Sequence, residues 1–273
     1  MASSVVPTVV SPDPLEPGLW ARIQSETVYN DVVDNWFLMN SWVPVVGIVV
    51  AYLFFVLYWG PRWMADKKPY QIKNILLVYN LVQTLYNAYI VAYLFLPGVP
   101  TYLWNHSCVP LPREDNPNWL AFCEACHLYY LSKIIDLLDT VFFVMKKKQS
   151  QITFLHVYHH AMMVLTSWGF LRFYKGEQAI FVGSLNSLVH VVMYSYYFLA
   201  AFGPHVQKYL WWKKYITKFQ LIQFGLMCLQ QVSLIVFECQ MPIVLTYYIT
   251  FQALVMVVLF GNFYYQTYIK KNK

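Results

Sequence analysis

Three histidines within five residues, His156, His159 and His160, carry the most distinctive chemistry in this sequence. Spacings of three and four bring their imidazoles together on a helical surface. Just upstream, Lys133, Asp136, Asp139 and Thr140 repeat the spacing of three. A third set, Asn186, His190 and Tyr194, steps by four, with Tyr197 beyond it. All three sets interrupt otherwise apolar stretches. Clustered imidazoles suit nucleophilic and acid–base chemistry, including transient acylation of a ring nitrogen. A carboxylate on one ring nitrogen would fix the tautomer and raise the basicity of the other. The bland alternatives are hydrogen-bonded core histidines and an internal Lys–Asp bridge. Three histidines in five residues is a poor way to build an apolar core. Gln220 and Gln223 are weaker candidates, since either could be a helix–helix hydrogen bond.

Metal is a less favoured use of the same residues. His156, His159, His160 and His190 could together hold a zinc ion. They are too few for a di-iron centre built from histidines, because His106 and His205 fall in loops and His127 near the far end. No metal is expected. Cys123 and Cys126 lie far from the box and Cys228 stands alone, so no thiol is placed to act with the histidines.

The elements that hold these groups are expected to be membrane spans. Of 273 residues, 59% are hydrophobic and 12% charged, about half the usual charged share. Mean hydropathy is +0.43. Such a chain is not disordered, and five cysteines are too few for a disulfide-dense scaffold. Seven stretches approach the length of about 20 residues that a spanning helix needs: 41–60, 74–96, 120–145, 152–171, 179–202, 217–237 and 243–266. In lipid they should be helices rather than strands. Helices three and five carry polar residues that lower their hydropathy. Ionisable groups within spans are costly and are functional candidates by default. The chain thus reads as an all-α integral membrane protein with seven transmembrane helices. Residues 1–35 form a short mobile lead, 36–268 the membrane domain, and 269–273 a basic tail.

Fourteen of the nineteen Lys and Arg residues lie in one set of loops: at 62, 67, 68 and 73; 146 to 148; 208, 213, 214 and 218; and 270, 271 and 273. That bias puts this set in the cytosol and the N-terminus on the opposite side. It also assigns the net charge of +6 to a membrane surface rather than to nucleic acid. Helices three and four, joined by a short turn, should be antiparallel neighbours. Asp139 then lies about 10 Å from the cytosolic end at 1.5 Å per residue, a depth similar to that of His156 and His159. The carboxylates should reach the imidazoles.

Four segments, in order, carry a family resemblance. They are Lys-Ile-Ile-Asp-Leu-Leu-Asp-Thr at 133–140, Gln-Ile-Thr-Phe-Leu-His-Val-Tyr-His-His at 151–160, Asn-Ser-Leu-Val-His-Val-Val-Met-Tyr-Ser-Tyr-Tyr at 186–197, and Thr-Lys-Phe-Gln-Leu-Ile-Gln-Phe at 217–224. Together they resemble the fatty acid elongases, the very-long-chain 3-oxoacyl-CoA synthases of the endoplasmic reticulum, over about residues 30–268. Asp136 departs from the family, which usually has Glu there. The resemblance implies six helices around a tunnel open to the cytosol and closed toward the lumen. It implies condensation of a long-chain acyl-CoA with malonyl-CoA, with loss of CO2, and no cofactor beyond these substrates. His159 would take the acyl group, with His156 and His160 positioning or activating it and Asp136 and Asp139 behind them. His190 and Asn186 would handle the thioester carbonyl or the malonyl enolate, with Tyr194 on the same stripe. Lys133, Lys208, Lys213 and Lys214 would meet CoA phosphates. A homodimer and partnership with other enzymes of the elongation cycle are implied as well. The alternative class is a seven-helix receptor or transporter, against which stands the absence of an internal repeat.

Topology places Cys108 and Cys239 on the lumenal side, and a disulfide between them is expected. Cys108 with Cys123 is the competing pairing. Asn105-His106-Ser107 is a glycosylation acceptor on the same side. The closing Lys270-Lys271-Asn272-Lys273 resembles a dilysine retrieval signal.

Overall fold

A computed structural model describes residues 18–270. The start of the expected lead and residues 271–273 of the basic tail lie outside the described residues. The described residues contain helices and no strands. Seven long helices fill the seven apolar stretches: α1 (Trp42–Trp63), α2 (Lys73–Ala92), α3 (Trp119–Met145), α4 (Phe154–Phe173), α5 (Gln178–Ala201), α6 (Lys213–Val236) and α7 (Ile243–Tyr264). Among the described residues, five of these, α1, α2, α5, α6 and α7, are long and apolar enough to cross a membrane. The other two are α3, interrupted by Glu124, Lys133, Asp136 and Asp139, and α4, which carries the three clustered histidines. Polar residues thus dilute helix three as expected, whereas α5 stays apolar enough despite Asn186 and His190.

Local chemistry sets where the site helices begin. The Thr153 hydroxyl accepts from the His156 backbone N–H at 3.3 Å, capping α4 and fixing the depth of the histidines. A π turn, Phe55–Trp59, interrupts α1 just before Gly60. A Cβ on Gly60 would lie 2.7 Å from the Phe55 carbonyl and 2.9 Å from Val144 Cγ1. Glycine therefore lets α1 close onto the end of α3. The most extensive packing is of α2 against α5 and α6 against α7, with α3 beside α4.

At the opposite end, a disulfide joins Cys108 to Cys239, with Cα atoms 4.5 Å apart and a sequence separation of 131. Cys123 is buried and free, so the competing pairing is not the one formed. By chain-entropy arguments a loop of this length contributes roughly 4–5 kcal/mol.

Residues 18–35 differ from a mobile lead. They form a helix, Leu19–Glu26, and a turn, Asp31–Asp34, capped by Asn30. Asp34 Oδ1 lies 2.6 Å from Arg172 Nη1 and 2.7 Å from Lys175 Nζ. Lys175 Nζ also donates to the Val28 carbonyl at 2.6 Å. These contacts dock the segment on the end of α4. Burial alone would raise the Asp34 carboxyl, but its bonds to Arg172 and Lys175 outweigh burial and hold it below the ordinary carboxylate value. Its contribution is therefore present above the unfolded carboxylate range and lost as pH falls through the lowered folded value. Thermal unfolding from about pH 6 to pH 3 should lose stability more steeply in the parent than in Asp34→Asn, as this linkage requires. Parallel curves would remove Asp34 from the account.

Candidate active site

The central part of α3 is polar and enclosed. Lys133 and Asp136 are 2% and 1% exposed, so their charges must be met within the protein. Lys133 Nζ lies 3.0 Å from Asp136 Oδ2 and donates to Asn186 Oδ1 at 3.0 Å. The Tyr129 hydroxyl donates to the same Asn186 oxygen at 2.9 Å. Two donors occupy that oxygen, so the Asn186 NH2 group remains to donate elsewhere. Asp136 Oδ1 accepts from Gln83 Nε2 and from the Tyr194 hydroxyl, the latter at 2.8 Å. The Tyr194 hydroxyl is also 2.7 Å from Asp139 Oδ2; its single proton serves one carboxyl at a time. His190 Nδ1 lies 3.4 Å from Asp136 Oδ2 without the alignment of a hydrogen bond. The internal Lys–Asp bridge is thus present, embedded in a network spanning α2, α3 and α5.

The histidines of α4 form a second, adjoining layer. The rings of His156 and His160 are 4.3 Å apart and those of His159 and His160 5.7 Å. His190 belongs to the first layer, with its ring 5.6 Å from that of Tyr194. His156 Nε2 bonds Thr140 Oγ1 at 2.9 Å, and Thr140 Oγ1 bonds the Tyr52 hydroxyl at 2.9 Å. His159 Nδ1 is buried and has no hydrogen-bond partner.

The expected contact between carboxylate and imidazole takes a different form. Among the described residues neither Asp136 nor Asp139 hydrogen-bonds a histidine of α4. Successive helical residues diverge by about 100°, so Asp139 turns toward Tyr194 of α5 while Thr140 meets His156. A hydroxyl relay stands where the sequence suggested a carboxylate.

Beside this layer lies a cavity of about 110 Å³. Six helices line it, with Ile90 from α2, Tyr129 from α3, Met163 from α4, Ser184 from α5, Phe224 from α6 and Met256 from α7. Tyr129 both lines the cavity and bonds Asn186, so the polar network adjoins the cavity wall. Phe260 contacts both His159, at 6.1 Å, and the lining residue Phe224, at 5.1 Å between ring centroids. Met163 and Phe170 follow the histidines along α4, so the cavity extends from them toward the disulfide end.

The remaining sequence candidates are not drawn into this cluster. Lys208, Lys213 and Lys214 are exposed at the other end, between α5 and the first turn of α6. Lys208 and Lys214 lie over the rings of Tyr209 and Tyr215 at 4.8 and 5.2 Å. Gln220 and Gln223 face Met193 and Met227 sulfurs at 3.9 and 3.5 Å. Conversely, Gln83 is completely buried against Asp136 and was not anticipated. Its signal was available in the stripe Asn80, Gln83, Asn87, spaced by three and four on α2. Tyr52 and Tyr129 carry no such signal, being two of 23 tyrosines.

Comparison with known proteins adds an independent observation. Residues 37–273 match the GNS1/SUR4 family, ELO. The chain is 40% identical over 241 residues to very long chain fatty acid elongase 4 of Homo sapiens, covering 88% of this chain and 76% of the relative. It is 38% identical over 253 residues to very long chain fatty acid elongase 7 of Drosophila melanogaster, covering 89% and 77%. With a very long chain fatty acid elongase of Aedes aegypti it shares 39% identity over 234 residues, which is 86% of this chain but 65% of the relative's length.

Proposed function

This chain belongs to the GNS1/SUR4 (ELO) family, and we propose that it is the condensing enzyme of fatty acid elongation, a very-long-chain 3-oxoacyl-CoA synthase. The observation that carries the reading is the convergence of three imidazoles of α4, next to the layer that holds His190, beside an apolar cavity lined from six helices. An acyl chain fits apolar walls, and acyl transfer needs a nucleophile at their polar edge.

In the first half-reaction a ring nitrogen of His159 attacks the acyl-CoA thioester carbonyl. The carbon–sulfur bond breaks, CoA leaves as the thiol after taking a proton, and an acyl-imidazole remains. In the second, malonyl-CoA loses CO2, and the carbon–carbon bond electrons become an enolate. The enolate carbon attacks the acyl carbonyl, the acyl–nitrogen bond breaks to release 3-oxoacyl-CoA, and the leaving imidazole takes up a proton to restore neutral His159. The Asn186 NH2 group, aimed by Lys133 and Tyr129, is suited to donate to the thioester or enolate oxygen. His190, held beside Asp136, and His160 are suited to proton handling. Lys208, Lys213 and Lys214, exposed at the end of the bundle away from the disulfide, would meet CoA phosphates. No cofactor beyond the two thioesters is required.

The basic loops favour a cytosolic mouth, and the disulfide favours an oxidising compartment at the other end. Those features support an endoplasmic reticulum membrane protein with seven spans, its N-terminus lumenal and the tunnel open to the cytosol. Purified protein supplied with long-chain acyl-CoA and malonyl-CoA should yield CO2 and 3-oxoacyl-CoA in equal amounts. Failure across a panel of chain lengths would reject the reading.

Tyr52 and Thr140 act through His156, as positioning residues. Tyr52→Phe removes only the hydroxyl on Thr140. It should lower kcat several-fold with KM unchanged, and Thr140→Val should do more because it strips His156 of its partner. Thr140→Ser should restore kcat. A KM effect alone, or no rescue by serine, would contradict that role.

A further inference from the structure

At the disulfide end, three segments converge on a recess of about 370 Å³ that the proposed chemistry does not use. Trp36 and Phe37 come from the stretch before α1, Tyr89 from the last turn of α2 and Tyr93 from just after it, and Glu124 and His127 from the first turns of α3. The rings of Trp36 and His127 are 5.2 Å apart, and Tyr89 meets Tyr93 edge to face at 5.6 Å. His127 Nε2 bonds the Phe37 carbonyl at 3.0 Å, tying the pre-α1 stretch to α3. Glu124 is exposed, and among the described residues no lysine or arginine lies within ion-pair distance of it. The recess thus combines four aromatic rings and one unpaired carboxylate, with no protein cation between them.

Aromatic side chains at a membrane interface ordinarily serve as separate anchors. Four rings from two segments that line one recess with a carboxylate from a third are a different feature. Aromatic faces attract cations, and an aromatic cage suits a quaternary ammonium, whose methyl groups pack against rings while its charge faces their negative centres. Glu124 lies five residues into α3, roughly 7–8 Å along its axis at 1.5 Å per residue. The recess joins that level to the end of α2 and to the stretch before α1, where two apolar helices of spanning length give way to the segments outside them.

We propose that this recess binds the quaternary ammonium headgroup of a choline phospholipid from the leaflet at the disulfide end. The cage supplies contact to the methyl groups, and Glu124 supplies the charge complement. An ethanolamine headgroup fits less well. Its primary ammonium needs hydrogen-bond acceptors in place of water, and the ring faces offer few.

The experiment offers the purified full chain in detergent equal amounts of dioleoyl phosphatidylcholine, phosphatidylethanolamine and phosphatidylglycerol, and reads retained lipid by native mass spectrometry. Phosphatidylcholine should be retained about threefold or more over phosphatidylethanolamine, the scale of a cation–π preference. Glu124→Gln and Tyr89→Leu should each bring phosphatidylcholine down to the phosphatidylethanolamine level. Both positions are exposed, and thermal unfolding of each variant should match the parent. Equal retention of the two zwitterionic lipids, preference for phosphatidylglycerol, or undiminished phosphatidylcholine retention in folded Glu124→Gln would overturn the assignment. Neither variant touches the histidine layer, so the result does not depend on the proposed condensation.

Discussion

Replacing His159 with alanine should abolish condensation while leaving the protein folded. The change removes the proposed acyl acceptor, and no other side chain inherits its position between His160 and Phe260. Loss of a covalent nucleophile should lower kcat by at least about a thousandfold. His159 Nδ1 has no hydrogen-bond partner to orphan, so the folding penalty is that of truncation alone. The check is turnover of acyl-CoA with malonyl-CoA, alongside thermal unfolding. A folded His159→Ala protein with parental turnover would remove His159 from the mechanism.

The second large effect is expected at Asp136. This carboxylate is contacted by Lys133, Gln83, Tyr194 and His190. Asp136→Asn leaves Lys133 as an uncompensated buried cation, a change that destabilises by about 3–5 kcal/mol. Turnover should fall with it, because Lys133 also aims Asn186. Asp136→Glu keeps the charge and adds one methylene, which in a tight site costs about 1–3 kcal/mol. Its activity should stay within a few-fold of the parent. Unfolding temperatures and turnover for both variants decide the matter. Asparagine performing as well as glutamate would show the charge to be dispensable.

Much of this architecture was legible in the residues, for identifiable reasons. Apolar stretches of spanning length leave a chain few options, and α1, α2 and α7 lie within a few residues of their expected bounds. The spacing of His156 and His160 on one helix face foretold their ring contact. The pairing of Cys108 with Cys239 followed from charge-based topology alone. Legibility ends where one helical residue decides between neighbours. Asp139 and Thr140 are adjacent, and sequence favoured the charged one as the partner of the histidines, but helix rotation gives that contact to Thr140. Gln83 was legible in its stripe yet outweighed by the ionisable groups around it. Tyr52 was not, because its role depends on α1 lying against α3, which the close approach at Gly60 permits. Residues 18–35 read as a lead because they are polar and short. The ion pair with Arg172 and Lys175 that holds them down crosses more than a hundred residues of sequence.

The central claim is that a histidine carries the acyl chain between the two half-reactions. Its most direct test is intact-protein mass spectrometry after incubation with a long-chain acyl-CoA and no malonyl-CoA. The parent should gain the mass of one acyl group, mapped by peptide fragmentation to His159. Adding malonyl-CoA should discharge it as 3-oxoacyl-CoA, and His159→Ala should show no adduct. An actively condensing enzyme that never acquires the acyl mass, or acquires it on another residue, would contradict the account.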